Sequence, residues 1–412
     1  MLDTPTRGRP EQAPIRASGL SCSRRRLFAG FAAVGGAALV ALVVLAGTAY
    51  ALNRLSWPHV EPLGDPEFGI NFSCRHAEFL LLEDPATGTE VDRSRPGRDA
   101  WCAAKLGDLL GATGAKHVRL SLEWSEVEPR EGEFDFRVLD ALLAEADRHE
   151  AHVLLTVGIK AQRHPEYFIP GWALEGTNLP RDSVITDDPL LRARALRMVE
   201  TVVRHAAASP VIDAWGAENE PLVPSKRANW WSLGRDFVQE EVRIIREVDP
   251  RARPVVINQA QSHLFDRFES QWRAAIEDAD VVAVSLYPFR NFEVPGWEMV
   301  VPIAELGPFV PNYAYQAREA HAAGRDYWIT EMQAEPWVDF DIHEVSPENP
   351  APNLDASKFR RNVVYARKSG ATRVYLWGSE FWLFQSERHG DDAWLSLARE
   401  AIRGEPATRS PR

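Results

Sequence analysis

Glu220 and Glu331 each close a short apolar run, SPVIDAWGAENEP (209–221) and DYWITE (326–331). A carboxylate at the end of a buried strand is costly unless it is hydrogen-bonded, paired or used. Set across one cleft, two such groups suit the cleavage of a glycosidic bond. One protonates the leaving oxygen, and the other attacks or stabilises the anomeric carbon. The two glutamates are 331 − 220 = 111 residues apart. That is three strand–helix units of about 37 residues, the unit size of a closed (β/α)8 barrel.

A lone glutamate at a strand end belongs more often to a salt-bridge network. Here other polar residues also sit on or end apolar runs: Arg119, Asn219, Tyr287 and Trp377. Glu218 rivals Glu220, since alternate strand residues face the same way. Glu220 lies nearer the rim and is assigned the chemistry; Glu218 is expected to pair with a cation or to hydrogen-bond inside the barrel. Glu335 and Glu380 are expected in solvated loops. Trp172, Trp230, Trp231, Trp337 and Trp382 follow strand ends, where stacking on a sugar ring and plain loop packing are equally open to them.

Eight β-branched runs must position these groups: 68–72, 117–122, 152–157, 211–217, 254–258, 281–287, 326–330 and 373–378. Between and after them lie eight stretches with apolar residues at i, i+3 and i+4: 99–114, 136–150, 189–207, 233–248, 262–278, 312–324, 357–370 and 393–402. Regular alternation argues for parallel βαβ units. Eight of them over residues 67–402 predict an α/β fold, a (β/α)8 TIM barrel, with its site at the C-terminal ends of the strands. No GxGxxG follows any strand, which removes the usual reason to prefer an open dinucleotide-binding sheet.

The segment HVRLSLEWSEVEPREGEFDF (117–136), with NEP (219–221) and TE (330–331), resembles clan A of the glycoside hydrolases. These are (β/α)8 retaining enzymes that include cellulases, mannanases and β-galactosidases. TEMQAEPW (330–337) and WGSEFWLFQ (377–385) look similar to family 5 or family 42. The resemblance implies that Glu220 is the acid/base and Glu331 the nucleophile. It further implies that Arg119 hydrogen-bonds the nucleophile, Tyr287 orients it, Asn219 binds the sugar 2-hydroxyl and Trp377 lies under the sugar at the −1 subsite. His164 is the candidate for the histidine that many members carry after the third strand, with Lys160 the alternative occupant.

Charge divides the chain. The net charge is −12, but residues 1–26 carry six Arg against Asp3 and Glu11, leaving −12 − 4 = −16 on residues 27–412. An acidic body argues against nucleic acid, which needs a basic face, and suits a neutral carbohydrate. Residues 27–52 hold no charge, enough to span a bilayer core of about 30 Å as a helix. SRRRLF (23–28) resembles a twin-arginine export signal, and AYA (49–51) has the form of a cleavage site. The run exceeds an ordinary signal peptide, so an uncleaved membrane anchor after a basic cytoplasmic leader (1–26) is expected, with secretion after cleavage near Ala51 as the alternative. Both put the body outside the cytoplasm. Residues 53–66 read as a linker and 403–412 as a disordered tail.

An oxidising compartment would permit a disulfide between Cys74 and Cys102, two free buried thiols being the other reading. No metal-ligand spacing is present, so neither metal nor cofactor is expected. The sequence therefore points to an exported, anchored retaining glycosidase acting on β-linked oligo- or polysaccharide. A transglycosylase using the same residues, or a non-catalytic carbohydrate-binding barrel, are the alternatives. Sugar, linkage and exo or endo mode depend on loop shape, which no motif encodes.

Overall fold

Valine, isoleucine and leucine crowd the eight runs because the strands of a closed parallel barrel are buried on both faces. The computed structural model describes residues 35–48, 51, 65–85, 87–259, 269–287, 289–294, 297–302, 313–338 and 340–404. It shows the eight strands as β1 (Glu67–Phe72), β2 (His117–Ser121), β3 (His152–Val157), β4 (Ile212–Ala217), β5 (Val255–Gln259), β6 (Val281–Leu286), β9 (Asp326–Gln333) and β10 (Arg373–Trp377). They close in that order into a parallel barrel, β10 pairing with β1. An antiparallel hairpin, β7 (Phe289–Val294) and β8 (Trp297–Pro302), stands between β6 and β9. It was not expected, although the Pro-Gly at 295–296 between two apolar-rich runs was a usable turn signal.

Inside the barrel, Leu154, Ala214, Val256, Val281, Ala283, Trp328 and Tyr375 form one apolar plug. The intervening residues face outward and pack on the helices. Two residues beyond the plug on their strands, Thr156, Asn258 and Ser285 take inward positions, so the interior turns polar towards its C-terminal end. Two departures from regular alternation shape that end. In β9 the pairing passes from Val284↔Ile329 to Ser285↔Glu331, so Thr330 is an extra residue, a β-bulge. Trp328 faces inward, and plain alternation would turn Glu331 outward; the bulge restores it to the interior. In β4 the strand ends at Ala217, and Glu218 (φ 64°) and Glu220 (φ 44°) adopt left-handed backbone. The expectation that Glu218 and Glu220 both point inward from a regular strand fails there.

Outer elements follow local rules. The helix Pro189–Ala206 starts on a proline, with the Asp188 side chain accepting from Leu190 and Leu191 N–H. An unexpected helix, Ser379–His389, follows β10 directly and buries Glu380. Of the expected anchor, residues 35–48 are helical and expose Leu39, Val40, Leu42, Val43, Val44 and Leu45. No helix among the described residues is long and apolar enough to cross a membrane. The leader 1–26, residues 27–34, most of the linker, the tail beyond 404 and the start of the helix expected at 262–278 lie outside the described residues.

Cys74 and Cys102 form a disulfide with Cα atoms 5.3 Å apart, tying the helix Cys74–Leu82 to the helix Arg98–Thr113. The loop it closes, 28 residues of separation, corresponds to roughly 3–4 kcal/mol of chain entropy. The double variant Cys74→Ser/Cys102→Ser should lose stability of that order in urea unfolding. Equal stability of the variant and the oxidised parent would show that no bridge contributes.

Candidate active site

Arg119 is 1% exposed at the polar end of the barrel interior. A buried guanidinium has to be paired or it costs several kcal/mol. Its Nη1 donates to Glu331 Oε1 at 2.8 Å, its Nη2 to Asn219 Oδ1 at 2.8 Å and its Nε to Thr156 Oγ1 at 3.3 Å. Arg119 has donors only, so Asn219 must offer it the amide oxygen, which sends the Asn219 NH2 away from the guanidinium. Asn258 completes the frame. Its Nδ2 donates to Asn219 Oδ1 at 3.2 Å, and its Oδ1 accepts the Glu220 N–H at 3.1 Å.

The two carboxyls occupy different environments. Glu331 accepts on both oxygens, from Arg119 and, at 2.7 Å, from the Tyr287 hydroxyl. Burial and the Glu331 charge raise the Tyr287 pKa well above its ordinary value, which keeps that phenol a donor. Glu220 instead accepts from the Ser285 hydroxyl at 2.6 Å. Burial first, and the charge of Glu331 second, push the Glu220 carboxyl up to about 7. One group is thus an acceptor on both oxygens, and the other can hold a proton near neutral pH. Environments that set two carboxyls apart in this way separate an acid from a nucleophile.

Trp377 lies beside them. Its Nε1 donates to Glu335 Oε1 at 2.8 Å, and the Arg163 guanidinium stacks 4.0 Å over its ring. Arg163 also donates to Glu335 and to Glu380, while the Ser73 N–H donates to Glu380. The expectation of solvated loop positions for Glu335 and Glu380 is therefore wrong: they are 5% and 0% exposed because they neutralise a buried arginine. Burial alone would raise the Glu335 pKa, but Arg163 and His76 outweigh it and hold it at about 2. Trp337 stands 4.4 Å from the Tyr287 ring and belongs to the site.

Other expectations fall elsewhere. The His164 side chain is 58% exposed, 3.8 Å from Glu166, and its neighbour Arg163 takes the inward place. Lys160 Nζ donates to the carbonyls of Glu220 and Val223 at 2.9 and 3.0 Å, a backbone tie and not a substrate contact. Trp382 is core, bonded to Ala334 O, and Trp172 packs edge-on against Trp124. Trp231 donates to Pro180 O, and Trp230 is half-buried in the same turn. Ser285 was legible but missed, since the alternation that turns Tyr287 inward turns Ser285 inward as well. Arg163 carried no signal, because it follows β3 in irregular backbone. The described residues also enclose a cavity of about 420 Å³ lined by Arg75, Arg98, Glu123 and Glu126; it lies beside β1 and β2, apart from Glu220 and Glu331.

Residues 105–235 match the glycoside hydrolase family 42 β-galactosidase profile. Among solved structures, the family 5 subfamily 18 glycoside hydrolase of Streptomyces cattleya, in complex with GlcNAc, is 17% identical. It covers 85% of this chain and 82% of its own, with a TM-score of 0.56. The exo-β-1,4-mannosidase Op5Man5 of Opitutaceae bacterium strain TAV5 is 18% identical over 84% of this chain, with a TM-score of 0.51. The cold-adapted β-galactosidase of Rahnella sp. R3 is 13% identical over 82%, with a TM-score of 0.50. This chain spans 62% and 56% of those last two proteins. No curated protein sequence matches it. Barrel and profile together define a (β/α)8 glycosidase. The chain shares its barrel fold with glycoside hydrolases of families 5 and 42, and its segment 105–235 is similar to the family 42 profile.

The Ser285 hydroxyl lowers the Glu220 pKa by donating to it. Ser285→Ala should therefore raise the Glu220 titration above about 7, read by carbon NMR of labelled glutamate in the unliganded protein. A downward shift would contradict the hydrogen bond.

Proposed function

We propose that this chain hydrolyses β-linked glycosides with retention, by double displacement at Glu331 with Glu220 as acid and base. The observation that carries the reading is the contrast between the carboxyls: Glu331 clamped by Arg119 and Tyr287, Glu220 able to hold a proton near neutrality. In the first step Glu220 gives its proton to the glycosidic oxygen as that carbon–oxygen bond breaks. A Glu331 oxygen attacks the anomeric carbon and forms a glycosyl ester. In the second step Glu220, now a carboxylate, takes a proton from water. The hydroxide oxygen attacks the same carbon and releases Glu331, and Glu220 is again protonated. Arg119 and Tyr287 hold Glu331 in line and withdraw charge from the departing carboxylate. Asn219, with its oxygen committed to Arg119 and Asn258, offers its NH2 to the sugar 2-hydroxyl, and Trp377 with Trp337 supplies the aromatic wall.

The β-configuration is supported by the relatives, whose names are those of a β-galactosidase family and an exo-β-1,4-mannosidase. Carbohydrate as the ligand is supported by the GlcNAc complex of the Streptomyces enzyme. We further propose that residues 27–52 anchor the barrel to the outer side of a membrane. The uncharged run and the exposed leucines and valines of residues 35–48 support this, since an apolar helix whose side chains stay uncovered by the described residues favours lipid.

A panel of phenyl and dinitrophenyl β-glycosides tests the chemistry. Glu331→Ala should abolish turnover of all of them. Glu220→Ala should lose about 10²–10⁴-fold on the phenyl glycoside and far less on the dinitrophenyl one, whose leaving group needs no proton. In the parent, kcat/KM should fall as pH rises through about 7, where Glu220 gives up its proton. Retained turnover in Glu331→Ala, or a first product of α configuration, would sink the mechanism.

A further inference from the structure

Glu218 lies two residues before Glu220 and is 1% exposed, yet the mechanism above has no use for it. Both its oxygens are committed to the end of β3. Ile159 N–H donates to Oε1 at 2.7 Å, and Lys160 N–H donates to Oε2 at 2.6 Å. Gly158 (φ 132°) makes room, because a Cβ there would overlap the Glu218 carboxyl. The backbone is stitched in the same place: Glu218 N–H donates to Val157 O and Asn219 N–H to Lys160 O, each at 2.9 Å.

Lys160 returns the contact. It is 2% exposed, and its ammonium donates to the carbonyls of Glu220 and Val223. Its nearest carboxylate is that of Glu166, at 3.5 Å. Two strand ends are thus joined twice, with a carboxylate from β4 on the amides after β3 and an ammonium from after β3 on the carbonyls after β4. Between the two ties lie Glu218 and Glu220, both in left-handed backbone that glutamate seldom adopts. Such a conformation persists only when its surroundings over-determine it.

Behind the stitch, Glu241 on the helix Arg235–Val248 is fully buried against Glu218. Burial and the charge of Glu218 raise its pKa well above the carboxylate range. The other ionisable groups facing this pair are Lys160, Tyr167 and, on the Glu241 side, Arg192.

We infer that Glu218, tied to Lys160 and backed by Glu241, is a positioning residue for Glu220: the double stitch between β3 and β4 fixes the reversed backbone that turns the Glu220 carboxyl onto Ser285 and toward Glu331. Removing it leaves the sugar-binding residues in place and misdirects the proton. This rests on the acid role proposed for Glu220.

The experiment measures kcat/KM on the phenyl and dinitrophenyl β-glycosides of whichever sugar the parent turns over, in Glu218→Gln, Lys160→Met and Glu220→Ala. Glutamine at 218 keeps the shape but sets an NH2 against one of the two backbone N–H groups. Its kcat/KM on the phenyl glycoside should fall about 10- to 100-fold, the scale of an ångström of misplacement, with the dinitrophenyl value nearly that of the parent. Lys160→Met should give the same pattern and decides the matter if Glu218→Gln does not fold. Glu241→Gln, which keeps the shape and offers an amide NH2 toward Glu218, should retain most of what Glu241→Leu loses. A merely structural role would lower both substrates equally; that result, or no loss at all, overturns the inference. If Glu220→Ala itself shows no dependence on the leaving group, the acid assignment falls first, and the two failures are told apart.

Discussion

One guanidinium, buried where the barrel interior turns polar, sets the terms for everything around it. Arg119 cannot shed its charge and is buried, so its partners are constrained in both identity and orientation. It takes Glu331 from the far side of the ring and Asn219 from β4. The amide orientation of Asn219 then dictates that of Asn258, and through Asn258 the backbone N–H of Glu220 is caught. A single charge thereby correlates three strands. Glu220, Glu331 and Asn219 share one hydrogen-bonded frame, so each is placed relative to the others in advance.

Charge is handled differently on the two sides of that frame. Glu218, Glu220 and Glu241 have pKa values raised chiefly by burial. Their contribution to folding is present below the ordinary carboxylate range and is lost as pH rises through their folded values, near 7 for the first two. Glu335, held down at about 2 by Arg163 and His76 despite its burial, works in the opposite sense. Its stabilisation is present above about 4.5 and is lost as pH falls toward 2. Mildly acidic solution is where both contributions coexist, and there Glu220 also keeps its proton.

Legibility in the sequence followed the strength of the physical signal. The eight strands stood out because double-faced burial writes continuous β-branched runs, and their spacing named the barrel. Glu220, Glu331, Arg119, Asn219, Tyr287 and Trp377 were singled out because each sits on or just past such a run, and the structure gathers them at one end of the interior. What escaped lay where pattern gives way to irregular backbone. Glu218 departs from alternation because the chain turns left-handed there. Arg163 leaves no periodic trace, and without it Glu335 and Glu380 look like solvated acids. The β7–β8 hairpin was missed because its first run follows β6 within a few residues of sequence.

Thr330 has a wider meaning than the aim of one side chain. An extra residue in a closed ring must be absorbed by both flanking strands, and the pairings of β9 with β6 and with β10 both slip at that level. Strand β9 therefore belongs to two rotational frames. Up to Trp328 it follows the parity of the packed interior, and from Glu331 onward it follows a parity of its own. The core half can drift by apolar substitution without turning the carboxylate, and the chemical half can be rebuilt without repacking the core. The bulge is a joint between two halves of one strand, each keeping its own parity.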